Sequence, residues 1–159
     1  MVKFFFLIPT LNSTNNLSRL ISSFQEQTYK NWRIMFVDGF SNKFHKNKMQ
    51  EICSISKRIT MIQQNINENG IYGAMNEGFK NVKEDEWLFF WGDDDWVHSS
   101  DTLENLASEI QKNKKNELVI CQGQYVNLKT GNLSRKSIFI KNHHKIKLNN
   151  KLFRRLLFY

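Results

Sequence analysis

Short apolar runs that alternate with helix-patterned segments constrain the fold of this chain more than any other feature. Five runs predict β-strands, at 2–8, 32–37, 58–62, 87–91 and 117–121. Between them, apolar residues recur at helical spacing and predict helices at 17–24, 44–56, 71–82 and 101–110. Strands that alternate with helices predict an α/β fold with a mainly parallel sheet. The run 87–91 is apolar throughout and predicts a strand buried on both faces.

The C-terminal part of the sequence has a different pattern. Segments 124–128 and 133–138 flank Thr130-Gly131 and predict a β-hairpin. We therefore expect one domain over 1–138. We expect 139–159 to be a basic and apolar segment, the start of an acceptor-side region that is cut short.

The charge of the chain is distributed unevenly. Residues 1–117 carry 14 lysines and arginines against 15 acidic residues, whereas 118–159 carry nine basic residues and no acid. This asymmetry indicates an anionic partner near the C-terminal end or, equally well, a solvated basic surface. No stretch approaches the roughly 20 apolar residues that span a bilayer. The lack of such a stretch and the two widely spaced cysteines predict a cytoplasmic protein. The basic C-terminal end is compatible with a peripheral position at the membrane surface.

Polar clusters follow three of the predicted strands. Residues 10–12 follow the first strand, Asp38-Gly39 follow the second, and 93–95 follow the fourth. In open α/β sheets, ligands bind beyond the carboxyl ends of the strands. The sequence therefore predicts that these three clusters converge on one ligand site.

The cluster Asp93-Asp94-Asp95 is the strongest candidate for metal binding. Three adjacent carboxylates repel one another, and a hard divalent cation such as Mg²⁺ or Mn²⁺ compensates them while sharing its other positions with phosphate and water. Most acidic clusters are exposed loops or helix caps. Here the cluster follows an apolar strand and lies between Trp91 and Trp96, which favours the metal interpretation.

Four segments resemble motifs of the family 2 glycosyltransferases, in the family's order. They are IPTLN at 8–12, VDGFS at 37–41, NGIYGAMNEG at 69–78 and FWGDDD at 90–95. The third is the most specific and is typical of the branch that builds bacterial surface polysaccharides. The resemblance implies the GT-A fold, a Rossmann-like nucleotide-sugar-binding sheet with helices on both faces. It also implies inverting transfer of a sugar from a nucleotide-diphosphate donor to a saccharide or lipid-linked acceptor.

The resemblance also implies roles for individual residues. Pro9, Thr10 and Asn12 would line the nucleotide pocket, and Asp38 would accept a hydrogen bond from the base. Glu68 and Gly70 would border the nucleotide. Asp93 would contact the ribose or the metal, Asp94 would belong to the donor site, and Asp95 would be the direct metal ligand.

Several positions depart from the family pattern. The family usually has glycine at Phe40, aspartate at Glu68, a further aspartate at Gly73 and often a small residue at Asp93. Inverting transfer also needs a general base, but no Asp or Glu follows Glu117. We therefore predict no catalytic base in this chain and expect donor binding rather than turnover.

Two other functions compete with this interpretation. A module that binds nucleic acid or an anionic membrane through the basic C-terminal region would leave the four motifs unexplained. A phosphoryl- or nucleotidyl-transfer enzyme could use the same acidic cluster, but the sequence has no P-loop. The glycosyltransferase interpretation expects no nucleic-acid partner.

Overall fold

The computed structural model describes residues 1–13, 15–115, 117–119, 121, 125–127 and 129–132. The chain divides into two compact units, Met1–Lys115 and Asn116–Tyr159. The strands of the first unit are β1 (Lys3–Thr10), β2 (Trp32–Asp38), β3 (Ile59–Gln63) and β4 (Glu86–Phe90). Its helices are α1 (Leu17–Gln25), α2 (Lys43–Ile55), α3 (Gly70–Phe79) and α4 (Thr102–Lys112).

The four strands form one parallel sheet in the order β3-β2-β1-β4. Strands β2 and β3 follow β1 on one side of it, and β4 lies on the other side of β1. The strand order therefore reverses between β1 and β4, which makes a crevice at their carboxyl ends. The predicted α/β fold with a parallel sheet is confirmed.

Helices cover both faces of this sheet, as the sequence predicted. Alternate residues of β1 point to opposite faces. Phe5 and Leu7 belong to one buried cluster with Ala74 of α3. The Phe6 ring packs instead on Phe24 of α1, with ring centroids 4.6 Å apart. Because β1 is buried from both sides, it holds the ends of its neighbours in fixed positions.

Close packing of α3 on the sheet depends on Gly78. A Cβ at Gly78 would lie 2.6 Å from Leu7 Cγ, which is closer than two carbon atoms that are not bonded to each other approach. The absence of a side chain at Gly78 thus sets how closely α3 approaches β1.

Two predicted features of the strands differ in the structure. Strand β1 extends through Pro9 to Thr10 instead of ending at Ile8. Its pairing with β4 ends at Leu7–Phe90, while its pairing with β2 continues to Thr10–Asp38. Leu7 O accepts a hydrogen bond from Trp91 N, on the side of β1 that faces β4. The nitrogen of Pro9, two residues later, points to the same side. Pairing with β4 has ended there, so the missing N–H of proline breaks no hydrogen bond of the sheet. Strand β4 was predicted to be buried on both faces, but its residues are partly exposed, because it pairs with β1 alone among the described residues.

Most of the predicted hairpin lies outside the described residues, as do residues 133–159 and Ile120 of the predicted fifth strand. The turn is described: Gly131 N donates to Asn127 O over 2.7 Å, and Asn127 N donates to Asn132 O over 2.9 Å. Within the described part of the chain, we find no helix long and apolar enough to cross a membrane.

Candidate functional site

The ends of β1 and β2 bring two of the predicted site residues side by side. Thr10 and Asp38 are register partners, as are Pro9 and Val37 one position earlier. Gly39 N donates to Thr10 O over 2.9 Å and continues the pairing beyond the strand ends. Thr10 and Asp38 are both buried, so their polar atoms need partners within the protein.

Thr10 finds one of these partners across the crevice between β1 and β4. Its Oγ1 donates to Asp93 Oδ2 over 3.0 Å. The first and fourth motifs, 83 residues apart in sequence, therefore meet directly. This contact fixes the start of the acidic cluster over the carboxyl end of β1.

The Asp38 carboxylate is compensated by several donors. Ser41 N lies 3.2 Å from Oδ1 and 3.3 Å from Oδ2, and Gln63 Nε2 donates to Oδ2 over 3.1 Å. The Lys46 ammonium is 3.9 Å from Oδ2. These contacts meet the cost of burying a carboxylate and hold it in one orientation.

Asn12 is joined to the loop that follows Asp38. Its backbone N–H donates to Ser41 Oγ over 2.8 Å, and its side-chain oxygen accepts from Asn42 N over 2.9 Å. Asn12 has φ 53° and Phe40 has φ 69°. Asparagine tolerates the left-handed region, whereas Phe40 is strained there. The family's usual glycine at this position would adopt the same backbone without strain.

Gln64 connects the end of β2 to the start of α3. Its backbone N–H donates to Asp38 O over 3.0 Å, and its Nε2 donates to Glu68 O and Gly70 O, the latter over 2.9 Å. Glu68 and Gly70 are thus held beside the end of β2. Glu68 Oε2 is enclosed and has no hydrogen-bond partner among the described residues.

Gly73 lies against the same loop. A Cβ there would meet the Glu68 carbonyl and lie 2.6 Å from Gln64 Nε2. The aspartate that the family usually has at this position would not fit without moving the loop 64–68. Glycine at position 73 therefore fits the close approach of the Glu68 carbonyl.

Asp94 and Asp95 each have a carboxylate oxygen near the position that a Cβ on Gly92 would take. A Cβ on Gly92 would lie 2.7 Å from Asp95 Oδ2 and 2.8 Å from Asp94 Oδ1. Burial raises the pKa of the Asp95 carboxyl above its ordinary value, and the neighbouring Asp94 charge raises it further. Negative charge is therefore unfavourable at Asp95 when no cation is near.

The loop that carries the cluster is anchored on α1. Val97 is buried, and its N–H donates to Ser23 Oγ over 3.1 Å. The Arg19 guanidinium lies over the Trp96 ring, 3.5 Å from its centroid. These contacts keep the acidic residues at the sheet edge.

The convergence predicted from the sequence is therefore present for Thr10, Asn12, Asp38 and Asp93. Two residues were missed. His45 is completely buried, with Nε2 3.3 Å from Thr10 Oγ1 and 4.0 Å from Asp38 Oδ1. Its spacing of four and seven residues from the buried Met49 and Ile52 could have placed it on the buried face of α2. Gln64 gave no such signal in the sequence.

The described residues contain no group of three or more His, Cys, Asp or Glu side chains arranged to hold a metal ion alone. Two converging carboxylates, with one disfavoured as an anion, still suit a cation that takes its remaining ligands from phosphate and water. The donor set of Asp94 and Asp95 thus fits Mg²⁺ or Mn²⁺ bound together with a phosphate ligand.

Comparison with solved structures supports the fold. Residues 1–349 of TarS from S. aureus align with a TM-score of 0.61 at 23% identity, over 70% of this chain and 33% of that chain. The mannosyltransferase PcManGT from Pyrobaculum calidifontis aligns with a TM-score of 0.59 at 17% identity, over 68% and 32%. The expected GT-A fold is confirmed.

Comparison with curated sequences points the same way. A PGL/p-HBAD biosynthesis glycosyltransferase of Mycobacterium bovis is 30% identical over 73% of this chain. The Escherichia coli UDP-Glc:alpha-D-GlcNAc-diphosphoundecaprenol beta-1,3-glucosyltransferase WfgD is 28% identical over 75%. The chain spans 44% of the length of each of these relatives. The family model described as "Glycosyl transferase family 2" matches residues 5–159, and the chain therefore belongs to glycosyltransferase family 2.

Proposed function

We propose that this chain binds the nucleotide-sugar donor for an inverting, metal-dependent glycosyl transfer in surface polysaccharide synthesis. The observation that carries the proposal is the Thr10–Asp93 hydrogen bond across the reversal of strand order. The bond supports the proposal because it brings the acidic cluster next to Thr10, the register partner of Asp38, and open α/β sheets bind nucleotides at such a reversal.

The donor nucleotide would lie along the carboxyl ends of β1 and β2. Pro9, Thr10 and Asn12 would line its pocket, and Asp38 would accept a hydrogen bond from the base. Glu68 and Gly70 would border the nucleotide, held there by the hydrogen bonds from Gln64.

The diphosphate would lie at the acidic cluster. Asp95 would hold a divalent metal together with Asp94, whose carboxylate oxygen lies near the same position at Gly92. Asp93, which is held by Thr10, would contact the ribose or the metal. The metal would supply charge neutralisation for the departing nucleoside diphosphate. The protein residues hold the site in place before binding, because Thr10 and Ser23 hydrogen-bond to the cluster and to its loop.

Relatives and structural neighbours suggest the chemical class of the substrates. The name of the E. coli relative specifies a UDP-Glc donor and a diphosphoundecaprenol-linked acceptor. TarS was solved with UDP-GlcNAc, and PcManGT with GDP-Man and Mn²⁺. By analogy, we expect a nucleotide-diphosphate sugar donor and a saccharide or lipid-linked acceptor. Residues 118–159 contain no Asp or Glu to serve as a general base, so the proposal concerns donor binding.

Titration of the chain with UDP, GDP and dTDP, with and without Mn²⁺, tests this proposal. The matched variants are Asp95→Ala in the cluster and Glu109→Ala, an exposed carboxylate of α4. We expect one nucleotide to bind in a metal-dependent manner, Asp95→Ala to lose this binding and Glu109→Ala to keep it. A folded chain that binds none of the three would contradict the proposal.

The basic segment 118–159 would hold the protein at an anionic membrane surface, where a lipid-linked acceptor is located. Anionic and neutral liposomes, sedimented at low salt, test this part separately. We expect retention on anionic liposomes alone. Absence of retention would remove the peripheral association without affecting donor binding, whereas retention on nucleic acid instead would favour the competing binding module.

A further inference from the structure

We propose that His45 is a positioning residue of the donor site, which donates from Nε2 to Thr10 Oγ1 and so commits the Thr10 hydroxyl to Asp93. The inference deepens the proposed function, because Asp93 belongs to the proposed donor site. The hydrogen bonds themselves follow from the distances between His45, Thr10 and Asp93 and from which of these side chains can donate a proton.

The Thr10 hydroxyl determines the direction in which the hydrogen bonds from His45 to Asp93 run. A hydroxyl has one proton to donate, whereas an ionised carboxylate can only accept. At 3.0 Å from Asp93 Oδ2, the Thr10 proton is therefore used on Asp93. The contact of 3.3 Å between Thr10 Oγ1 and His45 Nε2 then requires that Nε2 carries the donated proton.

Two further features favour a proton on Nε2. Asp38 Oδ1 lies 4.0 Å from Nε2, so a negative charge faces that side of the ring. His45 Nδ1 is buried and has no hydrogen-bond partner among the described residues. A proton on Nδ1 would leave a buried donor without an acceptor, which is unfavourable.

The backbone of His45 is fixed at the start of α2. Asn42 caps this helix, and its side-chain oxygen accepts from His45 N over 2.9 Å. Within the described part of the chain, the His45 ring contacts Thr10 by hydrogen bonding and faces the Asp38 carboxylate. His45 therefore acts on the metal-binding end through Thr10, as outer partners of metal ligands do.

Long-range ¹H–¹⁵N NMR spectra of the ¹⁵N-labelled full chain read the proton position directly. The chain has four histidines, and the signal absent from His45→Gln identifies His45. We expect a protonated Nε2 and a bare Nδ1. Thr10→Val should shift the Nε2 resonance, and Thr10→Ser should leave it close to its original position. A proton on Nδ1 alone, or an Nε2 signal that Thr10→Val does not move, would overturn the proposal.

Nucleotide binding gives the second measurement, with the UDP, GDP and dTDP panel and Mn²⁺. We expect His45→Leu to weaken Mn²⁺-dependent binding by about 10- to 100-fold, while His45→Gln, which retains a donor, restores most of it. Equal binding by both variants and the original chain would show that His45 does not position Asp93. If the original chain binds no nucleotide, the proposed function fails, while the NMR spectra still decide the hydrogen-bond chain.

Discussion

Thr10 Oγ1 donates a 3.0 Å hydrogen bond to Asp93 Oδ2, and this bond joins the carboxyl ends of β1 and β4. A charge-assisted bond of this kind is stronger than one between neutral groups. It links two segments that are adjacent only because the parallel sheet places β4 next to β1. The bond makes the acidic cluster part of the sheet edge, which has consequences for stability and binding.

The Thr10–Asp93 bond should contribute to stability. Thr10→Val keeps the shape of the side chain but leaves Asp93 without its donor. Loss of a hydrogen bond to a charged group should lower the free energy of unfolding by about 1.5–3 kcal/mol. Urea unfolding measures this change. Thr10→Ser, which keeps the hydroxyl, is the matched control and should stay close to the original chain. A Thr10→Val variant as stable as the original chain would contradict the prediction.

Asp95 should make stability depend on pH in a specific direction. Its pKa is raised by burial and by Asp94, so the folded chain retains this proton at a pH where the unfolded chain has lost it. The contribution of Asp95 to the free energy of unfolding should therefore fall as pH rises above 3.8, the ordinary pKa of an aspartate. Asp95→Asn cannot ionise and should show a smaller fall, measured as Tm against pH without metal. Glu109→Gln should keep the original profile, and identical profiles for Asp95→Asn and the original chain would contradict the assignment.

Arg33 and Glu86 should stabilise the amino-terminal side of the sheet. Arg33 donates to Glu86 through Nε over 2.6 Å and through an Nη over 2.7 Å, and its guanidinium lies over the Phe5 ring. Arg33→Leu should lower the free energy of unfolding by about 1–3 kcal/mol, because the shielded Glu86 loses its partner. Lys112→Leu, which removes the exposed pair with Glu109, should change it by less than about 1 kcal/mol. Similar losses in the two variants would contradict the prediction.

The same pair predicts a second pH dependence, of opposite sign. Hydrogen bonding from Arg33 is the main cause that holds the pKa of Glu86 below its ordinary value of 4.5. The stabilisation is thus complete above 4.5 and is lost as pH falls through the lower pKa of the folded state. Acid unfolding followed by circular dichroism should begin at a higher pH for Arg33→Leu than for the original chain. Coincident acid transitions would show that the pair does not govern this process.

Gly78 should resist substitution even though it lies inside a helix. Alanine is the better helix former by about 1 kcal/mol, but its Cβ would overlap Leu7. We expect Gly78→Ala to destabilise the chain by about 1–3 kcal/mol in urea unfolding, as overpacking does. Asn76→Ala, at an exposed position of the same helix, should be neutral or stabilising. A stabilised Gly78→Ala would show that α3 can move away from β1 at little cost.

The pattern of the sequence determined the strands and helices of the first unit and the edge at which its polar motifs lie. Apolar run lengths and helical periodicity depend on local residue order, and a parallel sheet aligns the carboxyl ends of its strands wherever these occur. The motifs also identified the family, because Asp38, Gly70 and the acidic cluster follow one another in the family's order.

Only the tertiary structure decided which polar atoms are partners. The burial of His45, its contact with Thr10, the role of Gln64 and the fit of Gly73 against Glu68 depend on residues from different strands and helices. Local periodicity carries no information about strand order, and the β3-β2-β1-β4 order is what brings Thr10 to Asp93. The exposure of β4 was missed for the same reason: an apolar run specifies a strand, but its neighbours in the sheet determine whether that strand is buried.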